Sequence, residues 1–377
     1  MGIYITLKRV NAGIADHEWE EVYKETLIAL KNYPFADKVL AKTYKGKKYY
    51  QADQAEERKL TPLYEGVGWH VLGDLETCQY GESFVLAADN NYYERKDDDQ
   101  KVQDILECIT KDKQCVSIWD SKTQGEPYHI PLLGVGCLIE DRLEEKAIVQ
   151  GNIRMFEVEE ACKWINEYLD KEVGYPVVAD PRKLITRLKK IHSKTEEQLK
   201  HFYDLYIDTL GDEIRGVLEE VLGSDILSKY YQEQLEKIEV DTKEFIGLVE
   251  QMLQIGYTLE EVAAAFEDSK ERNRDEIETF IRYILTERIS VYYLPKEEVY
   301  TPGNVGGQMV FIFDALMGYN RNKYELSEEE RVQLADRLKS IFPDQVDDVD
   351  DITVEAIEKK KEKVQHYEAY LDMLNTK

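Results

Sequence analysis

The second half of the chain is dominated by one pattern, in which apolar residues recur at steps of three or four positions. Such spacing puts apolar side chains on one face of a helix, and that face must pack against other helices. A long helix is predicted from residue 195, with an apolar face formed by Leu199, Phe202, Tyr206, Leu210, Ile214, Val217 and Val221. Further helices are predicted at 225–239, 242–255, 259–269, 275–293, 305–318, 328–341 and 353–375. Residues 191–377 are therefore expected to form an all-α helical bundle.

Helix starts in this half carry a capping pattern, in which a Ser or Thr is followed three residues later by Glu. The pairs are Ser193 with Glu196, Thr258 with Glu261, and Ser327 with Glu330. In such a capping box the hydroxyl accepts a hydrogen bond from the third backbone N–H of the helix, and the Glu carboxylate accepts one from the N-cap N–H. Each pair therefore predicts a helix that begins directly after the Ser or Thr.

The first half mixes strand and helix signals. β-Prone runs occur at 2–10, 38–52, 66–73, 81–89, 115–119 and 128–140, and the last two are predicted to pair as strands. Helices are predicted at 16–32, 100–110 and 156–170, and after Asp180, where an acidic N-cap precedes a proline at the first helical position. Residues 1–190 are therefore expected to form an α+β domain with a mixed, mostly antiparallel sheet.

The net charge is strongly negative and unevenly distributed. It is −27 for the whole chain, and residues 191–377 contribute −20 of it, with 42 acidic and 22 basic side chains. A protein that coats nucleic acid or anionic lipid needs a cationic surface, so this charge argues against both kinds of partner. It favours a partner protein with a basic surface.

No targeting or membrane segment is apparent in the sequence. The N-terminus lacks the apolar core of a signal peptide, and the apolar run at 309–317 is shorter than the about 20 residues that span a bilayer. The five cysteines are odd in number and include no C-x-x-C pair, which is not the pattern of a secreted disulfide framework. The six histidines form no recognised zinc pattern. The sequence thus predicts a cytoplasmic protein without a metal or a cofactor.

One candidate catalytic set consists of His70, Asp74 and Cys78, which are spaced by four residues. On a single strand all three would face the same side, as a thiolate nucleophile, its base and an orienting carboxylate require. The Gly73-Asp74 pair is typical of a turn, which would divide the set between two strands. The alternative is a buried cysteine, a strand-end histidine and a turn aspartate without a catalytic role.

Further candidates lie between residues 303 and 314. Gly303, Gly306 and Gly307 precede a predicted helix, whose backbone N–H groups can bind an anion. The alternative is that these glycines serve backbone geometry alone. Asp314 interrupts an apolar run, and its carboxylate belongs to a functional site, forms a structural hydrogen bond to a neighbouring helix, or lies at the edge of the buried region.

Two charged segments are also candidates. The predicted hairpin carries the partner-binding candidates Tyr44, Lys45, Lys47, Lys48 and Tyr49. Lysines among aromatic residues can contact an acidic surface or single-stranded nucleic acid, or they can protect an edge strand from aggregation. The acidic stretch at 344–351 lacks the calcium-loop pattern and is expected to be a solvated linker ahead of the final helix.

The sequence contains no complete catalytic motif, and its charge is strongly asymmetric. These features predict a protein-binding module, one form of which is an inhibitor or immunity-type protein whose acidic surface covers the basic active site of an enzyme. The alternative is an enzyme of unrecognised type, with its site at Cys78, His70 and Asp74 or at the domain junction near Asp314. A structural subunit of a larger assembly is a third hypothesis.

Overall fold

The structure is a computed structural model that describes residues 3–33, 68–71, 73, 79–94, 102–208, 210–286, 328–358 and 361, and the backbone alone at 41–44, 47–50, 58–59 and 67. The described residues divide into two compact units, the first ending at Asp208 and the second beginning at residue 210. Antiparallel sheets and helices form the first unit, and helices form the second. The predicted fold, an α+β part followed by a helical part, is confirmed.

The described strands all belong to the first unit. They are β1 (Tyr4–Arg9), β2 (Ala41–Tyr44), β3 (Lys47–Tyr50), β4 (Arg58–Lys59), β5 (Val67–Val71), β6 (Phe84–Ala87), β7 (Val116–Lys122) and β8 (Ala147–Gly151). Strand β1 lies between β7 and β8, strand β5 lies between β4 and β6, and β2 pairs with β3. Every one of these pairings is antiparallel, as predicted.

Helices occur in both units. Those of the first are α1 (Asp16–Lys31), α2 (Ile105–Thr110), α3 (His129–Leu143), α4 (Met155–Asn166), α5 (Pro181–Ile191) and α6 (Thr195–Leu205). Those of the second are α7 (Asp212–Leu222), α8 (Ser224–Lys237), α9 (Lys243–Gln254), α10 (Leu259–Ser269), α11 (Arg274–Thr286), α12 (Glu328–Ile341) and α13 (346–358). The composition changes near residue 190, whereas the division into two units falls after Asp208. Helix α6 lies between these two positions and belongs to the first unit. Among the helices of the described ranges, none combines the length and apolar character needed to cross a bilayer.

A strand was predicted at 128–140, but this segment lies in helix α3, which begins at His129, so that prediction is wrong. Its side chains from Leu132 to Glu140 are all buried, and α3 packs against α1, α4 and β8. A segment that is apolar on every face has no helical period, and it is then easily mistaken for a buried strand. Gly134 allows α4 to approach closely, because a Cβ there would lie 2.9 Å from the Ala161 carbonyl oxygen. This packing makes α3 the centre of the core of the first unit.

Helix α5 begins as its sequence predicts. The Asp180 carboxylate accepts a hydrogen bond from the Lys183 N–H at 2.9 Å, and Pro181 occupies the first helical position. Proline suits that position because its missing N–H would have no partner inside the helix. The start of α5 is therefore determined by local chemistry.

The long helix predicted from residue 195 is interrupted. Helix α6 ends at Leu205, and α7 begins after Gly211. Between them Tyr206 is extended, with φ −69° and ψ 128°, and the Ile207 N–H donates to the Val178 carbonyl at 3.0 Å. The apolar spacing continues through the break because both helices bury one face, and spacing alone does not reveal such a break.

The predicted capping boxes have different outcomes. At α10 the Glu261 N–H donates to the Thr258 hydroxyl at 3.2 Å, and the Thr258 N–H donates to the Glu261 carboxylate at 2.8 Å, which confirms that box. At α6 the N-cap is Lys194, which has no side-chain cap, so the helix begins one residue later than the pattern at Ser193 predicts. Ser327 lies outside the described residues.

The acidic stretch at 344–351 is mostly helical, so the prediction of a linker is wrong. Residues 343–345 form a single turn of 3₁₀-helix, and α13 follows directly. Asp348 forms an ion pair with Arg274 at 2.9 Å, and Asp350 forms one with Lys339 at 2.5 Å. These acids therefore connect α13 to α11 and α12.

Candidate functional site

The first unit contains a cavity of about 650 Å³ beside the first turn of α3 and along α4. Its chemistry comes from six lining side chains, Glu126, His129, Phe156, Glu157, Glu160 and Trp164. A concave site with aromatic walls and a few polar groups is the usual form of a ligand pocket in proteins. This volume is in the range of such pockets, so the cavity is the candidate functional site.

The loop before α3 shapes one wall of the cavity. Gln124 and Gly125 have positive φ values of 59° and 71°, which turn the chain back after β7. Such a conformation is uncommon for a residue with a side chain, and it costs on the order of 1 kcal/mol. The His129 N–H donates to the Glu126 carbonyl at 2.8 Å, and Pro131 lies in the first turn, where its lack of an N–H is harmless. The loop and helix start thereby hold Glu126 and His129 at the cavity.

His129 and Glu157 are the most buried polar residues that line the cavity, and each is only 2 % exposed. The Nδ1 atom of His129 lies 2.5 Å from the hydroxyl of the fully buried Thr123, while Nε2 has no hydrogen-bond partner. Burial, and to a smaller extent the positive charge of nearby Arg154, lower the pKa of His129 to about 4. The imidazole is therefore neutral at pH 7, with one ring nitrogen as donor and the other as acceptor.

Carboxylates supply the charge of the cavity. Burial raises the pKa of Glu126, because water is removed from its charged form without a compensating cation. Glu157 accepts a hydrogen bond from the Arg154 N–H at 2.9 Å, and this bond caps the start of α4. Glu160 is exposed one turn further along the same helix. The cavity therefore offers two carboxylates, those of Glu126 and Glu160, that are not used in capping.

An arginine of the chain lies beside these groups. The guanidinium carbon of Arg154 is 5.2 Å from the centre of the Phe156 ring, and its Nε atom is 4.0 Å from a carboxylate oxygen of Glu157. This arrangement suits cations, because an aromatic face and a carboxylate both attract positive charge. Within the described ranges, no three His, Cys, Asp or Glu side chains are placed so that they could hold a metal ion.

The predicted catalytic set is only partly described. His70 lies on β5 and is half-buried, its Nε2 atom has no hydrogen-bond partner, and burial lowers its pKa. Asp74 and Cys78 lie outside the described residues. A role for the three together stays a hypothesis.

The other predicted site residues have similar outcomes. Gly303, Gly306, Gly307, Asp314 and Lys45 lie outside the described residues, so their roles stay predictions. The backbone of the hairpin is described, with Tyr44 opposite Lys47, Thr43 opposite Lys48, and Lys42 opposite Tyr49. The predicted hairpin is therefore present, and partner binding by its lysines and tyrosines stays a prediction.

A second constellation in the first unit resembles a catalytic arrangement. The Nε2 atom of His192 lies 2.8 Å from the Thr110 hydroxyl, and its Nδ1 atom lies 3.3 Å from a carboxylate oxygen of Glu197. However, the Thr110 hydroxyl donates its own hydrogen to the Leu106 carbonyl at 2.8 Å. A threonine hydroxyl that bonds the carbonyl four residues earlier is a common structural contact, and these three side chains join α2, the end of α5 and α6.

Sequence reasoning missed the cavity because it placed His129 on a strand. Two signals favour a helix there. The apolar run is longer than the four to eight residues of a typical buried strand. Pro131 also lies near its start, a position that a helix tolerates and a central strand does not.

Comparison of the chain with protein-family models, with curated proteins and with solved structures gave no significant match. Function is therefore inferred from the chemistry of the cavity itself.

Proposed function

We propose that the protein is a cytoplasmic binding module for a partner protein with a basic surface, and that a basic side chain of the partner enters the cavity between α3 and α4. The observation that carries this proposal is the presence of Glu126, Glu157 and Glu160 together with two aromatic rings in one cavity. A cation bound there meets opposite charge and a flat π-face at once.

The state of Glu126 supports the proposal. Its pKa is raised by burial, with no cation contributing to the shift, so its charged form lacks compensation. A cation that entered the cavity would lower this pKa again and would gain energy from the same interaction. The free protein thus holds a carboxylate whose environment improves when a basic side chain binds.

The charge of the whole chain acts at longer range. At −27, the protein attracts basic partners and repels acidic ones before contact. Complementary charge mainly raises the association rate, and salt reduces the effect. One specific form of the proposal is an inhibitor or immunity-type protein that covers the basic active site of a nuclease or a similar enzyme.

The test compares two variants with the same change in charge. Glu126→Gln with Glu160→Gln removes two carboxylates from the cavity, and Glu20→Gln with Glu21→Gln removes two exposed carboxylates from α1. Binding of a short lysine- and arginine-containing peptide is measured by NMR at about 50 mM and about 300 mM NaCl. The cavity variant is expected to bind about five- to thirtyfold more weakly, since each of the two charge pairs contributes roughly 0.5–1 kcal/mol. The α1 variant is expected to bind nearly as well as the wild type.

Two results would contradict the proposal. Equal weakening in both variants would mean that only the overall charge matters and that the cavity is not the site. Binding that does not change between the two salt concentrations would mean that the interaction is not electrostatic.

A further inference from the structure

We propose that Cys137 on α3 and Cys162 on α4 form a site of reversible oxidation, at which hydrogen peroxide converts the two thiols into a disulfide. The site lies in the core of the first unit and does not depend on the proposed cation-binding cavity. Three features support it, namely the close approach of the two helices, the hydrogen bond between the two thiols, and the difference in their exposure.

A glycine brings α3 and α4 together near the two cysteines. Gly134 lies one turn before Cys137 on α3, and a Cβ at Gly134 would be only 2.9 Å from the carbonyl oxygen of Ala161. Ala161 directly precedes Cys162 on α4. Residues one turn apart lie on the same face of a helix, so Cys137 lies on the face of α3 that packs against α4.

A second set of contacts lies on the other side of the pair. Asp141 follows Cys137 by one turn on α3. The N–H of Gly174 donates to the Asp141 carboxylate at 3.1 Å, and the carbonyl of Gly174 accepts the Cys162 thiol at 3.7 Å. One glycine thus contacts both Asp141 and Cys162, which places Cys162 opposite the same face of α3.

The two thiols contact each other directly. A hydrogen bond joins them, with the Cys137 thiol as donor and the Cys162 sulfur as acceptor. This bond raises the pKa of Cys137 and lowers the pKa of Cys162, because it stabilises the thiol of the first and the thiolate of the second. The thiolate is the form that attacks an oxidant, so Cys162 is the nucleophile of the pair.

Exposure gives the two cysteines the same order. Cys162 is 4 % exposed, whereas Cys137 is fully buried. Cys162 is therefore the sulfur that a peroxide molecule contacts first, and Cys137 is protected until the second step.

Oxidation takes place in two steps. The Cys162 thiolate attacks one oxygen of hydrogen peroxide, the O–O bond breaks, and the departing hydroxide takes up the proton that the thiol released, which gives water and a sulfenic acid on Cys162. The Cys137 sulfur then attacks the Cys162 sulfur, the S–O bond breaks, and hydroxide leaves with the Cys137 proton as a second water. The two sulfurs together lose the two electrons that the peroxide gains, and a dithiol reductant reverses the reaction.

The test treats the reduced full-length protein with a small molar excess of hydrogen peroxide, alkylates the remaining thiols and digests the protein with trypsin. Cys137 lies in the peptide 123–142 and Cys162 in the peptide 155–163, and neither peptide contains another cysteine. We expect these two peptides to be linked, with the loss of two hydrogen atoms, and to separate in dithiothreitol. The link is expected to form about tenfold faster in the folded protein than in urea that unfolds it, because folding holds the sulfurs together.

Unfolding provides an independent measurement. A disulfide between α3 and α4 restricts the unfolded chain, so oxidation is expected to raise the urea midpoint of the tryptophan fluorescence transition by about 1–2 M. Dithiothreitol is expected to remove this shift.

Two variants test the order of the steps. In Cys137→Ala the sulfenic acid has no thiol to react with, so Cys162 is expected to become a sulfinic acid, located by fragmentation of the peptide 155–163. In Cys162→Ala the buried Cys137 is expected to stay reduced. The matched control is Cys108→Ala, which removes another buried cysteine of the first unit, and it is expected to form the link at the wild-type rate. Fluorescence-detected unfolding shows whether each variant is folded.

Several results would overturn the inference. The first is a folded wild type in which peroxide leaves both cysteines reduced or links either of them to a different cysteine. The second is a link that forms no faster in the folded protein than in the unfolded one, since folding then does not bring the sulfurs together. The third is a folded Cys162→Ala variant whose Cys137 is oxidised as fast as Cys162 is in Cys137→Ala. None of these results affects the proposed cation-binding cavity.

Discussion

Glu140 provides the sharpest test of how the first unit is held together. Its carboxylate is buried at the centre of α3, and it accepts the Val149 N–H at 2.7 Å and the Val177 N–H at 2.5 Å. These bonds connect α3 to β8 and to the turn at Val177–Ala179. Burial nevertheless raises the pKa of Glu140 from 4.5 to about 7, because loss of water outweighs the two hydrogen bonds and the charges of Arg187 and Lys183.

The sign of the resulting pH dependence is unusual for a hydrogen-bonded carboxylate. Between about pH 4.5 and about pH 7 the folded protein holds a proton that the unfolded chain has released. The free energy of unfolding therefore falls as the pH rises through this window, and it stays lower above the folded pKa. A pKa difference of about 2.5 corresponds to a loss of about 3 kcal/mol in total.

Glu140→Gln removes this dependence, because glutamine does not titrate. The amide keeps one acceptor oxygen and places an NH₂ group against the second backbone N–H, which costs about 1–3 kcal/mol. At about pH 5 the variant is therefore expected to be clearly less stable than the wild type. At about pH 8 the buried charge of Glu140 destabilises the wild type. The difference in the free energy of unfolding between wild type and variant is therefore expected to shrink by about 2–3 kcal/mol.

Urea unfolding followed by tryptophan fluorescence measures this difference. All four tryptophans, Trp19, Trp69, Trp119 and Trp164, lie in the first unit, so fluorescence reports that unit alone. Comparing wild type and variant at each pH cancels the contributions of the other carboxylates. Glu159→Gln, a substitution at an exposed position of α4, is the control and is expected to show no such trend. A stability difference between wild type and Glu140→Gln that stays constant from about pH 5 to about pH 8 would falsify the reasoning.

Two further predictions concern local backbone structure. Glu144 ends α3 with φ 51° and ψ −117°, a conformation that costs a non-glycine residue on the order of 1–3 kcal/mol. Glu144→Gly is therefore expected to stabilise the first unit by about 1 kcal/mol, as measured by urea unfolding followed by fluorescence. Glu144→Ala keeps the Cβ and should give no such gain; an equal gain from alanine would show that the backbone is not strained. Thr258→Ala removes the cap of α10 and is expected to destabilise the second unit by about 1 kcal/mol in circular dichroism unfolding, while Thr258→Ser retains most of the stability. Because the second unit has no tryptophan, the fluorescence transition should not move, and a shift of that transition would contradict this assignment.

Local signals in the sequence determined much of the secondary structure. The capping box at Thr258 and the acid–proline pair at Asp180 act within one helical turn, so their outcome does not depend on the rest of the fold. The helices of the second unit were predictable because each has one polar and one apolar face. The hairpin at β2 and β3 was predictable from its turn and its β-prone flanks.

The tertiary structure alone decided the features that have no local signal. Helix α3 is buried on every face, so its sequence has no helical period, and its packing between α1, α4 and β8 accounts for that burial. The break between α6 and α7 depends on a hydrogen bond from Ile207 to the distant Val178. In both cases the sequence determined which residues must be buried, and the partners that bury them decided the local conformation.

The candidate site belongs to this second class. His129 and Trp164 are far apart in sequence, and they meet because α4 packs closely against the glycine-containing face of α3. Neither residue has a neighbour in sequence that indicates a site. The sequence determined that the protein is acidic, that its second half is helical and that its first half combines sheet and helix. Only the packing of α3 and α4 decided that carboxylates, two rings and the buried His129 line the same cavity, because a cavity is formed by contacts between segments and not by any one of them.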